Sequence, residues 1–246
     1  MLLGARQFFE KRGGGGWQNP YVTDGLIAMW DAEWNAGPGV HDGRPRLVNL
    51  CGGAPIVLSE SAIIGANSVS YTSQSGATGS TIESYEYGGI ATDVSPLPEA
   101  GDAITTECVA SLPNTGAWAN AAIAYAYRNG IRVSNNYQQG TVAGTFYSGR
   151  LYSISKQGPG DMLSRMAATS CRPLAWNSAE IYYNGVEVTA TWNYTGARTD
   201  ANVSILGTNY VGAQMSFGCM RIYNKCLTTD EVAANYAIDK ARFNLT

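Results

Sequence analysis

Two Asn-Gly pairs constrain the fold of this chain more than any other feature. They are Asn129-Gly130 within AIAYAYRNGIRVSN and Asn184-Gly185 within AEIYYNGVEV. Asn-Gly is a strong short-range signal for a β-hairpin, because both central residues of a type I′ turn need a positive φ angle. The segment TFYSGRLYSISK adds a further strand pair or one bent strand. The sequence therefore predicts antiparallel β-structure through its centre.

Residues 104–112 show the clearest alternation in the chain. One face carries Ile104, Thr106, Cys108, Ala110 and Leu112, and the other carries Thr105, Glu107, Val109 and Ser111. Successive side chains of a strand point to opposite faces of its sheet. The pattern predicts a half-buried strand with one face on the core.

Composition favours one large β domain. Charged residues make up 14% of the 246 residues, whereas Gly numbers 29 and Tyr 15, which is typical of strands joined by many turns. Sixteen basic and nineteen acidic residues, without a basic run, predict that nucleic acid is not a partner. Charges interrupt the first apolar residues and no later stretch is long enough to span a bilayer, so we expect neither a signal peptide nor membrane insertion.

The cysteines are odd in number and widely spaced, without a CxxC pair: Cys51, Cys108, Cys171, Cys219 and Cys226. This pattern predicts free thiols that act as small buried apolar side chains in a reducing cytoplasm.

Residues 1–16 are predicted to form an N-terminal arm that ends in four consecutive glycines, Gly13 to Gly16. A glycine run favours a flexible joint. We expect the arm to dock on other virion proteins or on copies of the chain through Leu2, Leu3, Arg6, Phe8 and Phe9. Residues 17–246 would then form the single folded domain.

The strongest helix signal lies at the C-terminus. Thr228 and Glu231 have the spacing of a capping box, in which each side chain bonds to the backbone of the other. Val232, Tyr236 and Phe243 recur at helical spacing, which predicts one stripe against the protein body. Lys240 and Arg242 suit the C-terminal end of the helix dipole.

Three segments resemble the concanavalin A-like lectin/glucanase superfamily, in particular the laminin-G-like jelly-roll domains of bacterial and bacteriophage proteins. They are DGLIAMWDAEWNAGPGVHD with the following LVNLCGG, the hairpin AEIYYNGVEV, and the closing MSFGCMRIYNKCLTTDEVAANYAIDKARF. The resemblance implies an all-β fold, a two-sheet antiparallel jelly-roll sandwich with one short C-terminal helix.

Hydrolases of that superfamily carry their carboxylates as E-x-D-x-x-E or E-x-D-x-E on one strand, and this sequence lacks both motifs. Glu83 and Glu86 lie three apart and would face opposite ways on a strand. The single histidine, His41, adjoins Asp42 in a Gly/Pro loop, where the two are expected to hold the loop through backbone bonds. We therefore predict no catalytic residues and a chain that is not an enzyme.

The sequence indicates two kinds of binding site, one for a cation and one for a glycan. Hard oxygen donors at alternating positions predict a calcium loop at Asp31, Glu33, Asn35 and Asp42, with a solvated loop of Asx turns as the alternative. No other cofactor is expected. Aromatic residues in or near loops with polar neighbours suggest a glycan platform: Trp34, Tyr85, Tyr87, Tyr137 and Tyr210. Subunit interfaces favour the same residue types.

These sequence features are compatible with three functions. The first is a virion accessory protein of a bacteriophage head or tail, made in the host cytoplasm, docked by the arm and able to attach to surface glycans. The second is a stand-alone carbohydrate-binding lectin. The third is a glycoside hydrolase, which the missing carboxylates disfavour.

Overall fold

The structure is a computed structural model in which the described residues are 19–35, 39–41, 44–72, 86–91, 103–111, 120–126, 129–135, 142–147, 151–156, 166–172, 180–188, 190–193, 203–208 and 214–245. In chain order the strands are β1 (Leu26–Asp31), β2 (Gly39–His41), β3 (Arg44–Leu47), β4 (Ile56–Leu58), β5 (Ala62–Ile64), β6 (Val69–Thr72), β7 (Glu86–Ala91), β8 (Ile104–Ser111), β9 (Asn120–Ala126), β10 (Asn129–Asn135), β11 (Val142–Tyr147), β12 (Leu151–Lys156), β13 (Met166–Arg172), β14 (Glu180–Tyr183), β15 (Val186–Val188), β16 (Ala190–Asn193), β17 (Val203–Thr208) and β18 (Gln214–Tyr223). Helix α1 (Ala32–Asn35) is a single turn, and helix α2 (Thr229–Phe243) follows the last strand. Neither helix of the described residues is long and apolar enough to cross a membrane.

The strands form two sheets. The first has the order β15-β14-β13-β8-β18-β6-β5, and β1 also pairs with β18. Strand β18 is ten residues long, so one of its edges pairs with β6 near Gln214 and then with β1 near Tyr223, while β8 occupies its other edge. These pairings are antiparallel, and they place the first and the last of the described strands side by side.

The second sheet has the order β16-β11-β12-β10-β9-β17-β7-β4-β3-β2. Within the strands described, β10 with β12 and β11 with β16 are parallel pairs, and the others are antiparallel. Strand β12 lies between β11 and β10 in this sheet. It pairs antiparallel with β11, which precedes it along the chain, and parallel with β10. Strands β9 and β10 approach β8 of the first sheet, and β10 also approaches β13.

The Asn184-Gly185 hairpin is confirmed. Strands β14 and β15 pair antiparallel around the turn, and Asn184 and Gly185 have φ angles of 48° and 73°. The expected turn at Asn129-Gly130 is wrong in position. Both residues belong to β10, where Asn129 pairs with Ala126, so the connection is residues 127–128.

Strand β8 is buried on both faces rather than half-buried. Thr105 and Glu107, on the polar face of the pattern, are 0% and 2% exposed. The reason is that helix α2 and the linker before it cover this face, where Asn235 of α2 donates to the Glu107 carboxylate. The opposite face, with Ile104 and Cys108, is also buried.

Helix α2 begins as the sequence predicts. Thr228 is the N-cap, its hydroxyl accepts a bond from Glu231 N, and Glu231 Oε2 accepts one from Thr228 N at 2.9 Å. Val232 and Phe243 are buried on the body of the protein, and Tyr236 is half-buried. Such caps contribute about 1 kcal/mol each to helix stability.

Candidate functional site around Arg242

The site begins where strand β1 becomes helix α1. Asp31 is the last residue of β1, and its side chain is fully buried. Its Oδ1 accepts bonds from Glu33 N and Trp34 N, both at 3.0 Å. Asp31 is therefore the N-cap of the single turn, and this cap fixes the direction in which Glu33 and Trp34 leave the sheet.

Arg242, near the end of α2, binds this turn with its whole guanidinium group. Nη1 and Nη2 lie 2.8 and 2.9 Å from the two Asp31 oxygens, and Nη2 also donates to Glu33 Oε2 at 2.7 Å. The guanidinium carbon lies 3.3 Å from the centre of the Trp34 ring. A planar guanidinium can form a two-pronged carboxylate pair and stack on an aromatic face at the same time.

Tyr21 connects this turn to the interior. Its ring lies 5.8 Å from that of Trp34, and its hydroxyl accepts from Arg242 Nη1 at 2.7 Å. The same hydroxyl donates to Asp239 Oδ1 at 2.6 Å. Burial raises the pKa of Tyr21, although the charge of Arg221 opposes the rise. The phenol therefore remains a neutral donor between the two arginines.

Beneath Tyr21 lies a buried charge network. Arg221 Nε donates to Glu107 Oε2 at 2.8 Å, while its Nη1 and Nη2 donate to the two Asp239 oxygens at 2.9 and 2.5 Å. Asn235 Nδ2 also donates to Glu107 Oε2 at 2.8 Å, and Thr169 Oγ1 donates to Oε1 at 3.2 Å. The side chains of Arg221, Glu107 and Asp239 are at most 2% exposed. This network joins α2 to β8, β13 and β18.

Two carboxylates share the single charge of Arg221. Burial raises the pKa of Glu107, and Arg221 and its hydrogen bond act in the opposite direction. Because these groups are sealed from solvent and already bonded to one another, they suit the attachment of the helix better than contact with a ligand.

The exposed part of the site is its outer edge. The side chains of Glu33 and Arg242 are 42% and 13% exposed, and Trp34 is half-buried. A carboxylate acceptor, a guanidinium donor and an indole thus meet at the surface. The pairing of Glu33 and Trp34 with a partner more than two hundred residues away was missed by sequence reasoning. A local signal for the network did exist, since Asn235 and Asp239 fall at helical spacing between Val232 and Phe243.

Of the predicted calcium donors, the structure describes the side chains of Asp31 and Glu33. Asp31 and Glu33 come together, but a guanidinium occupies the position between their carboxylates. Across the described ranges, no three His, Cys, Asp or Glu side chains gather as metal ligands. The Asn35 side chain and Asp42 lie outside the described residues, so the four-residue calcium set stays a prediction.

Of the predicted glycan residues, the structure describes the side chain of Trp34. Tyr87 belongs to β7, but its side chain lies outside the described part, as do Tyr85, Tyr137 and Tyr210. The arm residues Leu2, Leu3, Arg6, Phe8 and Phe9 also lie outside it. These assignments stay predictions.

No protein-family model and no curated protein matches this chain, whereas solved structures do. A Trypanosoma rangeli sialidase in complex with a difluorinated nononic acid matches with a TM-score of 0.60 and 12% identity, over 96% of this chain and 38% of the sialidase.

Botulinum neurotoxin domains are also similar in structure. The type G receptor-binding domain has a TM-score of 0.54 at 12% identity, over 88% of this chain and 52% of its own. The serotype D ligand-binding domain, in complex with N-acetylneuraminic acid, has a TM-score of 0.55 at 10% identity, over 90% and 52%. At these identities the likeness shows the fold. The chain spans about two fifths of the sialidase and about half of the neurotoxin domains it matches.

The expectation that the chain is not an enzyme is overturned by the sialidases among these structures, because a fold of this kind occurs in enzymes. The absence of the glucanase carboxylate motifs was too narrow a criterion for excluding catalysis, since these motifs identify one type of hydrolase.

Proposed function

We propose that this chain is a lectin-like carbohydrate-binding module, whose two sheets are the faces of a concanavalin A-like jelly-roll sandwich. The observation that carries the proposal is the shared fold with the serotype D neurotoxin domain, a ligand-binding domain by name, in complex with N-acetylneuraminic acid. The sialidases of similar fold include one in complex with sialic acid. Each of these proteins is described in complex with an acidic sugar. A sialylated glycan is therefore the first ligand to test.

The outer edge of the Arg242 site is the proposed binding surface. Glu33 offers an exposed carboxylate that can accept bonds from sugar hydroxyl groups, and the half-buried Trp34 offers an apolar ring surface. Arg242 holds both in place and has little freedom of its own, because it contacts Asp31, Glu33 and Tyr21. A site with its side chains fixed before binding loses less conformational entropy on binding.

The test is a glycan array followed by calorimetry on the strongest ligand. We expect Glu33→Gln to weaken binding about tenfold, since a hydrogen bond to a charged group is worth roughly 1.4 kcal/mol or more. The matched control is Glu187→Gln, an exposed glutamate on β15, which should bind as the wild type does. The same measurements made in calcium and in chelator also test the predicted calcium ligands.

An array without hits in either buffer would contradict the proposal, and equal binding by both glutamine variants would move the site elsewhere. Release of free sugar from a bound glycan would instead identify a hydrolase. The virion role, the division into an arm at 1–16 and a domain at 17–246, and the virion location stay predictions. None of the similar structures named above is a virion protein.

A further inference from the structure

Two cysteines meet beneath the segment that joins β18 to α2. Thr105 on β8 lies between them: its Oγ1 is 2.8 Å from Lys225 O and accepts from Leu227 N at 3.0 Å. These are the backbone atoms on either side of Cys226. Thr105 therefore fixes the position of Cys226 against the sheet.

Cys171 approaches the same point from β13, where it pairs directly with Thr105 across the strands. Its Sγ lies 3.3 Å from Thr105 Oγ1 and 3.6 Å from Leu227 O. The Sγ atom of Cys171 therefore lies against the backbone of the residue that follows Cys226. Both cysteines belong to one apolar cluster, in which Cys171 is fully buried and Cys226 is half-buried.

The two thiols are unequal in acidity. The pKa of Cys171 is raised and that of Cys226 is lowered, in each case mainly by the neighbouring thiol. Cys226 is also the more exposed of the two. A thiolate within reach of solvent is the form that attacks a disulfide.

We propose that Cys226 and Cys171 form a redox-active dithiol that closes to a disulfide on reaction with a small disulfide such as oxidised glutathione. The Cys226 thiolate attacks one sulfur of the reagent, the reagent's S–S bond breaks, and one glutathione thiolate leaves. The Cys171 sulfur then attacks the Cys226 sulfur of the mixed disulfide, and the Cys171 proton passes to the glutathione thiolate that is displaced. The second glutathione leaves, so two protein thiols are oxidised and one glutathione disulfide is reduced to two thiols.

The other three thiols serve as internal controls. Cys51, Cys108 and Cys219 are buried, and burial raises the pKa of each; that of Cys51 rises to about 12. Buried neutral thiols react slowly with disulfides. Closure would link the segment before α2 to β13 and so fasten the helix covalently to the first sheet.

The experiment treats the native protein with oxidised glutathione, blocks the remaining thiols by alkylation and maps tryptic peptides. Trypsin cleaves after Arg165 and Lys225, so the two cysteines fall on separate peptides. We expect two of the five thiols to disappear, with one linked pair that contains Cys171 and Cys226. The midpoint of thermal unfolding should rise by about 5 °C or more, as a cross-link of this loop length restricts the unfolded chain.

Three variants separate the roles. Cys171→Ala should stop at the mixed disulfide on Cys226, Cys226→Ala should keep all its remaining thiols, and Cys51→Ala should close like the wild type. Peptides linked through any other pair, or a wild type that keeps five thiols while a reference dithiol protein is oxidised, would overturn the proposal. The wild-type peptide map decides the question even if a variant fails to fold.

Discussion

Arg221 of β18 and Asp239 of α2 form a two-pronged ion pair with side chains only 1% and 2% exposed. Removing one member of such a pair leaves a charge buried without its partner, which destabilises a protein by about 3 to 5 kcal/mol. This pair is therefore one of the polar contacts that dock α2, together with those of Asn235 and Arg242 and the apolar burial of Val232 and Phe243.

Asp239→Asn should accordingly lower the free energy of unfolding by about 3 kcal/mol. The measurement is urea denaturation followed by circular dichroism, with a lower midpoint at unchanged slope. Asp230→Asn is the matched control on the same helix, where Asp230 is exposed in the first turn, and its loss should be at most about 1 kcal/mol. Similar losses for the two variants would show that the buried pair does not hold the helix.

Helix α2 was predictable because its start is local. The Thr228 and Glu231 capping box needs four consecutive residues and no tertiary contact. The burial of Asn235 and Asp239 was not predicted, although both lie on the buried stripe. Sequence patterns assign polar residues to the surface by default, and the partner that reverses this default, Arg221, lies on a different element.

In the candidate site, too, the local features were predictable and the contact distant in sequence was not. The sequence predicted Asp31 and Glu33 as calcium donors and, separately, Trp34 as part of a glycan platform. Their common partner, Arg242, is separated from Asp31 by 211 positions, and periodicity carries no information about such a contact. The sequence therefore pointed to this loop but not to the guanidinium that binds both described carboxylates.

The pair of Asp31 and Arg242 provides a second comparison. Asp31→Ala removes the cap of α1 and leaves Arg242 without its two-pronged partner, and we expect a loss of about 3 kcal/mol in unfolding free energy. Asp24→Ala removes an aspartate that also binds a basic side chain, Lys225, but is 85% exposed. That loss should stay below about 1 kcal/mol, since water screens exposed pairs. A larger effect for Asp24 in urea titrations would contradict this account of Asp31.

The raised pKa of Glu107 predicts a dependence of stability on pH. A carboxyl with a raised pKa in the folded state contributes stability below its ordinary pKa, and this contribution is lost as pH rises through the folded value. Glu107→Gln imitates the protonated form at every pH. The stability of the variant relative to the wild type should therefore rise with pH, beginning near the ordinary glutamate pKa of about 4.3.

Urea midpoints measured from about pH 4 to pH 8 test this dependence. Glu187→Gln, at an exposed position on β15, should show a difference from the wild type that does not change with pH. A flat difference for Glu107→Gln as well would mean that Glu107 keeps an ordinary pKa and that Arg221 fully compensates its burial.

Gly185, in the turn between β14 and β15, lies against Tyr236 of α2. Substitutions at Gly185 and Gly52 can separate the cost of backbone strain from the cost of a steric clash. A Cβ at Gly185 would lie 2.5 Å from Tyr236 Cδ1, and its φ is 73°. Gly52 also has a positive φ, 84°, but a Cβ there meets nothing within 4 Å. Gly52→Ala should thus cost about 1 kcal/mol of stability, from φ alone. Gly185→Ala should cost about 3 kcal/mol, because Tyr236 must also move.

A double-mutant cycle completes this comparison. In a Tyr236→Ala background the ring is absent and the Cβ contact at 3.1 Å remains, so most of the excess cost of Gly185→Ala over Gly52→Ala should disappear. The excess that disappears measures the contact between the hairpin and the helix. If the whole excess persists without the ring, the cost at Gly185 does not come from contact with the Tyr236 ring.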